Sequence, residues 1–355
     1  MKINKHCFPN GLRLVHYEDT STQMVALNIV YDVGARDEHP EHTGFAHLFE
    51  HLMFGGSAHI PDYDTPLQLA GGENNAWTNN DITNYYLTVP KPNVETAFWL
   101  ESDRMLELAF SEQSLEVQRG VVMEEFKQRC LNQPYGDVGH LFRPLAFRVH
   151  PYRWPTIGKE LSHIEQATLD EVKSFFYRFY APNNAVLAVT GNISWDETVK
   201  LTEKWFAPIP RRDVPVRQLP QEPEQTQERR LTVERNVPLD ALFMGYHMCS
   251  REGADYCAFD ILSDIPSNGR SSRLNRRLVQ EQNIFSGIDA YISGTRDAGL
   301  LQISGKPAAG VSLEQAEAAV RKELEELQRS PVDGQELEKV KNKFESTQIF
   351  GNINY

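Results

Sequence analysis

Cysteine is scarce in this 355-residue chain, and the four present (Cys7, Cys130, Cys249 and Cys257) form no CxxC pair. Such scatter excludes a thiolate zinc site and a disulfide framework, so they are read as free thiols. No stretch approaches the roughly 20 apolar residues that span a bilayer. The opening segment, MKINKHCFPNGLRLVHYED, also lacks the apolar centre of a secretion signal. These absences predict a cytoplasmic protein with no membrane partner. Positive charge is in deficit as well. Thirty-six Lys and Arg against 49 Asp and Glu leave a net charge of −13, the wrong sign for a groove that must neutralise phosphates. No nucleic-acid partner is expected, whereas a basic or neutral peptide is compatible with that charge. What is present is ordinary globular material, 40% hydrophobic and 24% charged. At roughly 150 residues per domain, the length predicts two or three units.

The apolar patterning predicts an α+β protein, with helices packed on mostly antiparallel sheets. Residues 10–17 and 23–33 alternate or run apolar, as strands do. Residues 43–54 (TGFAHLFEHLMF) predict a helix closed by Gly55 and Gly56. After Gly71 and Gly72 comes a hairpin pattern turning at Asn79-Asn80-Asp81, then helices at about 93–109 and 112–131. Thr168 with Glu171 and Ser194 with Glu197 are capping boxes that open helices. Between them AVLAVTG predicts a buried strand. A stretch rich in Pro, Gln and charge then marks a boundary. It divides the chain into a first domain (1–210), a linker (211–228) and a second domain (229–355).

The second domain repeats the first in layout. Each has a strand, a Lys-Pro step (Lys91-Pro92, Lys306-Pro307) and a long helix, which implies an internal duplication. Far fewer residues follow the second Lys-Pro than the first. The second copy is therefore expected to be incomplete at its C-terminal end, lacking a helix, a strand and a final helix.

Chemistry concentrates in HLFEH, within the helix at 43–54. His47 and His51, four residues apart, put two imidazoles on one helix face where they can chelate one metal ion. Glu50 lies beside them, close enough to take a proton from a water at the metal. This is the zincin arrangement of two His ligands and a Glu base in reverse order. A surface helix is stable with such a pattern and no metal. Here, however, the neighbours are Phe45, Ala46, Leu48, Phe49, Leu52, Met53 and Phe54, so the polar groups would be partly buried and need partners. A catalytic zinc takes three protein ligands and leaves one open position. The helix at 112–131 offers Glu124 and Glu125 as the third, and composition does not choose between them.

HLFEHLMFGG, GGENNAWTNNDITNYY and LEVQRGVVMEE closely resemble the pitrilysin/insulinase family of zinc peptidases, the inverzincins. HPYRWPTIG and FYAPNNAVLAVTGNI fit the same family's first domain, and NGRSSRLNRRL fits its second. The resemblance implies Zn2+ held by His47, His51 and Glu125 in a catalytic first domain, with Glu50 as general base and Glu124 pointing away. It also implies that Asn75 and Ala76 lie at a strand edge to which an extended peptide substrate adds. Tyr85 and Tyr86 are read as core or sheet residues. Family members often carry a glutamate seven residues before the third ligand; this chain has Gln118, a neutral amide that can still support the metal site. The remaining histidines, among them His16, His59 and His163, are read as surface or structural.

The second domain reads as a copy without metal. Aligned on Gly56 and Gly269, it sets Asp260, Ser263 and Asp264 against His47, Glu50 and His51. The family also uses an Arg and a Tyr after its SSRLxxxL pattern to reach the substrate carbonyl, and these positions hold Val279 and Ser286 here. Arg276 or Arg277 replaces them only by a register shift. The pair is therefore expected from a homologous metal-less half or subunit, or from a second copy of this chain. The function expected is zinc-dependent endopeptidase action on peptides or unfolded segments. The alternative is a non-catalytic structural or partner-binding subunit, a class that typically loses ligands.

Overall fold

The computed structural model describes residues 2–351, which form an α+β chain divided into two compact units between Arg230 and Leu231. In the first unit, strands β1 (Asn4–Cys7), β2 (Arg13–Glu18) and β3 (Met24–Tyr31) precede helices α1 (Phe45–Leu52) and α2 (Asp64–Leu69). A hairpin follows, β4 (Glu73–Thr78) and β5 (Thr83–Pro90), then α3 (Val94–Leu106) and α4 (Glu112–Phe126). Helices α5 (Val138–Ala146), α6 (Leu161–Glu165) and α7 (Leu169–Phe179), strand β6 (Ala185–Gly191) and helix α8 (Trp195–Trp205) complete it. The six strands lie in the order β1-β2-β6-β3-β5-β4, parallel only between β2 and β6.

The strands alternate as a half-covered sheet requires. On β3, Val25, Leu27, Ile29 and Tyr31 are buried while the residues between them are half-buried. The hairpin turns where Asn79 accepts from the backbone N–H groups of Asp81 (2.7 Å) and Ile82 (2.9 Å) through its own Oδ1. Asn and Asp mark turns for this reason. Thr168 and Glu171 cap α7 reciprocally, whereas at α8 Ser194 accepts from the Glu197 N–H without the return bond. Because β4 is an outer strand, one of its backbone edges is left without a strand partner among the described residues.

Residues 211–230 have no regular secondary structure and belong with the first unit. Proline and glutamine deny this segment an apolar face, so its charges attach it. Arg212 donates to the carbonyls of Tyr180 and Leu106, each at 2.7 Å. Arg217 pairs with Asp32 and Asp37. Glu222 accepts from the backbone N–H groups of Arg148, Val149 and His150 at 2.7–3.0 Å.

The second unit contains β7 (Leu242–Met248), α9 (Tyr256–Ser267), a π-helical stretch (Asn275–Glu281), β8 (Phe285–Ile292), β9 (Gly299–Pro307), α10 (Leu313–Arg329) and α11 (Gly334–Gly351). Its antiparallel sheet has the order β7-β9-β8. Taken in chain order, this reproduces β3-β5-β4 and the helices around them, as a duplication predicts. Leu274, Leu278, Phe285, Ile288 and Ile303 form its core with Ala316 and Val320. Among the described residues, no helix is long and apolar enough to cross a membrane.

Candidate metal centre

The centre is built on α1, which is short, apolar and placed between α4, α7 and β4. Phe45, Ala46, Leu48, Phe49 and Leu52 are buried in the main core, so the helix cannot turn without exposing them. It opens at Gly44, whose φ of 87° is in the left-handed region. A Cβ there would meet Ile164 Cδ1 at 2.6 Å and the Ile157 carbonyl at 2.9 Å, so only glycine fits.

Gly44 has no side chain with which to cap α1. Glu38 does so from the preceding loop. Its buried carboxylate accepts from the backbone N–H groups of Gly44 (2.9 Å) and Ala46 (2.8 Å), which would otherwise be orphaned inside the protein. Burial pushes this carboxyl up to about 8, opposed by the two N–H bonds. Glu38→Ala is expected to lower stability by ~1–3 kcal/mol, the cost of leaving buried donors unpaired. Urea unfolding followed by circular dichroism measures this, and an unchanged midpoint would show that α1 does not depend on the cap.

His47 and His51 lie one turn apart on α1, with ring centroids 4.9 Å apart and planes nearly perpendicular at 87°. Across from them, α4 turns Glu125 inward and leaves Glu124 exposed toward Lys127 and Gln128. Glu125 Oε2 lies 3.5 Å from His47 Nε2 and 3.4 Å from His51 Nε2. One ligand atom from each of the three residues falls within 4.8 Å of the others. These separations are long for charge-assisted hydrogen bonds, which run about 2.7–2.9 Å. They match a tetrahedral zinc site instead, where bonds of about 2.0–2.2 Å put neighbouring ligand atoms about 3.3–3.6 Å apart. Two imidazole nitrogens and one carboxylate oxygen are also a donor set that zinc accepts. The residues fit the ion.

The electrostatics agree with that fit. Burial is the main cause that lowers the His47 pKa to about 4, keeping the ring neutral as a ligand must be. The Glu125 carboxyl is held below its ordinary range, chiefly by His51 and also by His47 and Arg129, against the opposing effect of burial. Glu50, one residue before His51, is raised by burial, and the Thr78 hydroxyl and His51 partly offset this. His47 Nδ1 is buried without a hydrogen-bond partner among the described residues, so no hydrogen bond through Nδ1 helps to orient that ring.

Asn75 and Ala76 both lie on β4, but they face opposite sides. Asn75 is exposed, and Ala76 packs against the main core. The Ala76 N–H donates to the neighbouring Asn75 Oδ1 at 2.8 Å. Tyr85 is fully buried, and Tyr86 is half-exposed on β5. Gln118 is half-exposed on α4, about two turns before Glu125, and makes no hydrogen bond to the cluster among the described residues. Three neighbours of the centre escape a motif-by-motif reading. Thr78 is signalled only by strand alternation from Ala76, and Arg129 by its i,i+4 spacing from Glu125. Glu38 acts through a loop and leaves no periodic trace.

Other histidines are built into the fold. His16 Nε2 lies 2.9 Å from the Ile193 carbonyl, His59 Nδ1 lies 2.6 Å from Asp103 Oδ1, and His163 Nδ1 lies 2.9 Å from Thr43 Oγ1. In the second unit, α9 carries Asp260, Ser263 and Asp264. Ser263 Oγ donates to the Asp260 carbonyl, and Asp264 accepts from Asn268. Among the described residues, only His47, His51 and Glu125 make a cluster that could hold a metal.

Fold and cluster together describe a two-unit α+β chain with one candidate metal site, and comparison with known proteins supplies the family. Residues 13–138 match the family described as Insulinase (Peptidase family M16), and residues 166–344 match the Peptidase M16 inactive domain. The chain belongs to this pitrilysin/insulinase family. It is 28% identical over 338 residues to the zinc protease PqqE of Helicobacter pylori, covering 94% of this chain and 76% of that one. It is 25% identical over 347 residues to YmxG of Bacillus subtilis, described as an uncharacterized zinc protease, with coverages of 97% and 83%. The crystal structure of a protease from Helicobacter pylori superposes with a TM-score of 0.92 at 28% identity, over 98% of this chain and 85% of that one. The periplasmic protease PqqL of Escherichia coli shares the fold, with a TM-score of 0.76 at 21% identity. That match spans 96% of this chain but only 39% of PqqL.

Proposed function

We propose that the chain is the catalytic part of a zinc-dependent endopeptidase acting on peptides or unfolded segments. One observation carries this reading: Glu125 Oε2 stands 3.4–3.5 Å from both imidazole Nε2 atoms, with Glu50 on the same helix as the imidazoles. His47, His51 and Glu125 would hold the ion. When bound, zinc supplies Lewis acidity that makes a water easier to deprotonate and a peptide carbonyl easier to attack. Glu50 takes the proton from the attacking water and returns it to the leaving amine. Its burial supports that role, because a carboxyl raised above its ordinary range is a stronger base toward the proton of the attacking water. The free edge of β4, near Asn75 and Ala76, binds an extended peptide through main-chain hydrogen bonds. A homologous metal-less half, or a second copy of this chain, supplies the Arg-Tyr pair. The second reading, a non-catalytic partner-binding subunit, draws on the match of residues 166–344 to an inactive domain. The intact His-His-Glu set with its base favours the first.

The test is zinc content together with peptide hydrolysis. His47→Ala, His51→Ala and Glu125→Ala are each expected to lose most bound zinc, by metal analysis after dialysis, whereas Glu124→Ala keeps it. Zinc retained by the Glu125 variant and lost by the Glu124 variant would move the third ligand. Zinc without hydrolysis in the wild type, even with candidate partners supplied, would favour the non-catalytic subunit.

A further inference from the structure

Glu125 brings Oε2 to 3.4–3.5 Å from the Nε2 atoms of both imidazoles. The other oxygen, Oε1, lies 2.8 Å from Arg129 Nη1 in an ion pair. An i,i+4 Glu-Arg pair on a helix is often no more than a solvated contact. This one differs because the glutamate belongs to the cluster, and because of the backbone beneath the arginine. At Lys127 the α4 helix passes into a π-helical stretch, Lys127–Leu131, closed by Asn132 N–H donating to the Lys127 carbonyl at 2.8 Å. Such widened turns occur often at functional sites. Arg129 sits in the middle of it. Its side chain is 68% exposed, so it reaches Glu125 from the solvent side while α1 approaches from the protein side. Gln118, the other candidate for supporting the site, makes no bond to Glu125 among the described residues.

We propose that Arg129 is a positioning residue for the metal centre. By pairing with Oε1, it would leave Oε2 as the one oxygen that Glu125 offers to a metal ion, so that a further position at the ion could stay open to water. A carboxylate free to rotate can offer both oxygens and fill that position, and one without its partner is also a less ordered ligand. Groups that orient a ligand in this way typically govern metal affinity by 10–100-fold when removed. The guanidinium fork suits the task better than an ammonium, which is a point charge with freely turning donors. This inference rests on the proposed zinc site, but its outcome can be separated from that of the site.

Arg129→Met and Arg129→Lys, each in the full chain, are titrated with zinc against a competing chelator. They are then loaded with Co2+, whose visible absorption reports coordination number. The methionine variant is expected to bind one zinc with affinity lowered roughly 10–100-fold, and to show the weaker absorption of a higher-coordinate ion. The lysine variant is expected to recover part of both. Zinc affinity and cobalt spectrum unchanged in Arg129→Met would overturn the proposal. If that variant fails to fold, a wild-type cobalt spectrum and affinity in Arg129→Lys overturn it equally. Loss of zinc in His47→Ala with no change in Arg129→Met defeats this inference alone. Zinc retained in His47→Ala defeats the site itself.

Discussion

Glu50→Gln is expected to keep its zinc and lose ~10²–10⁴-fold in turnover of a quenched peptide substrate. The amide has the shape of the carboxylate and still hydrogen-bonds, so the packing of α1 should not change. It cannot accept a proton from water, which is the step proposed for the carboxylate. The structure explains why this residue suits the role. Glu50 is neither among the fully buried residues of α1 nor fully solvated, and burial has raised its carboxyl. Bound zinc and turnover should be measured on the same preparation, because loss of metal would mimic loss of the base. A variant that retains near wild-type rate would show Glu50 to be structural and the reaction to use another base.

A verified monomer of this chain is expected to bind zinc but cleave peptides slowly. A homologous metal-less partner carrying the Arg-Tyr pair should raise the rate by ~10²–10³-fold, the usual effect of one donor to a developing oxyanion. The second unit offers no substitute at the corresponding positions. Val279 has no hydrogen-bond donor in its side chain and packs against that unit's core. Ser286 Oγ already donates to the Lys306 carbonyl at 3.1 Å. Arg277, one of the two arginines nearby, is committed to Glu323 at 2.6 Å and to Glu326. Arg276 lies 3.6 Å from Glu281. Steady-state rates with and without the partner, alongside the mass in solution by light scattering, decide the matter. Robust turnover by the isolated monomer would sink the idea.

Much of this protein is legible in its residues because the determining interactions are local. The period of HLFEH places two imidazoles on one face of any helix, whatever surrounds it. Alternation along 24–31 predicts a strand, the polar run at 79–81 predicts a turn, and the repeated strand, Lys-Pro and helix layout predicts a duplicated sheet. Each rests on spacings of two to four residues, where backbone geometry alone relates side chains. The choice between Glu124 and Glu125 is of another kind. Adjacent residues on a helix point about 100° apart, and only the packing of α4 against α1 turns one of them inward. The cap on α1 by Glu38 and the attachment of residues 211–230 by Arg212, Arg217 and Glu222 are likewise contacts between segments distant in sequence. The hold of Arg129 on Glu125 lies between the two cases. Its i,i+4 spacing is visible in the sequence, but its significance depends on which carboxylate oxygen α1 leaves free. The sequence by itself determined which residues could carry the chemistry. Tertiary packing decided which of them meet, because burial and approach distance are properties of the whole core.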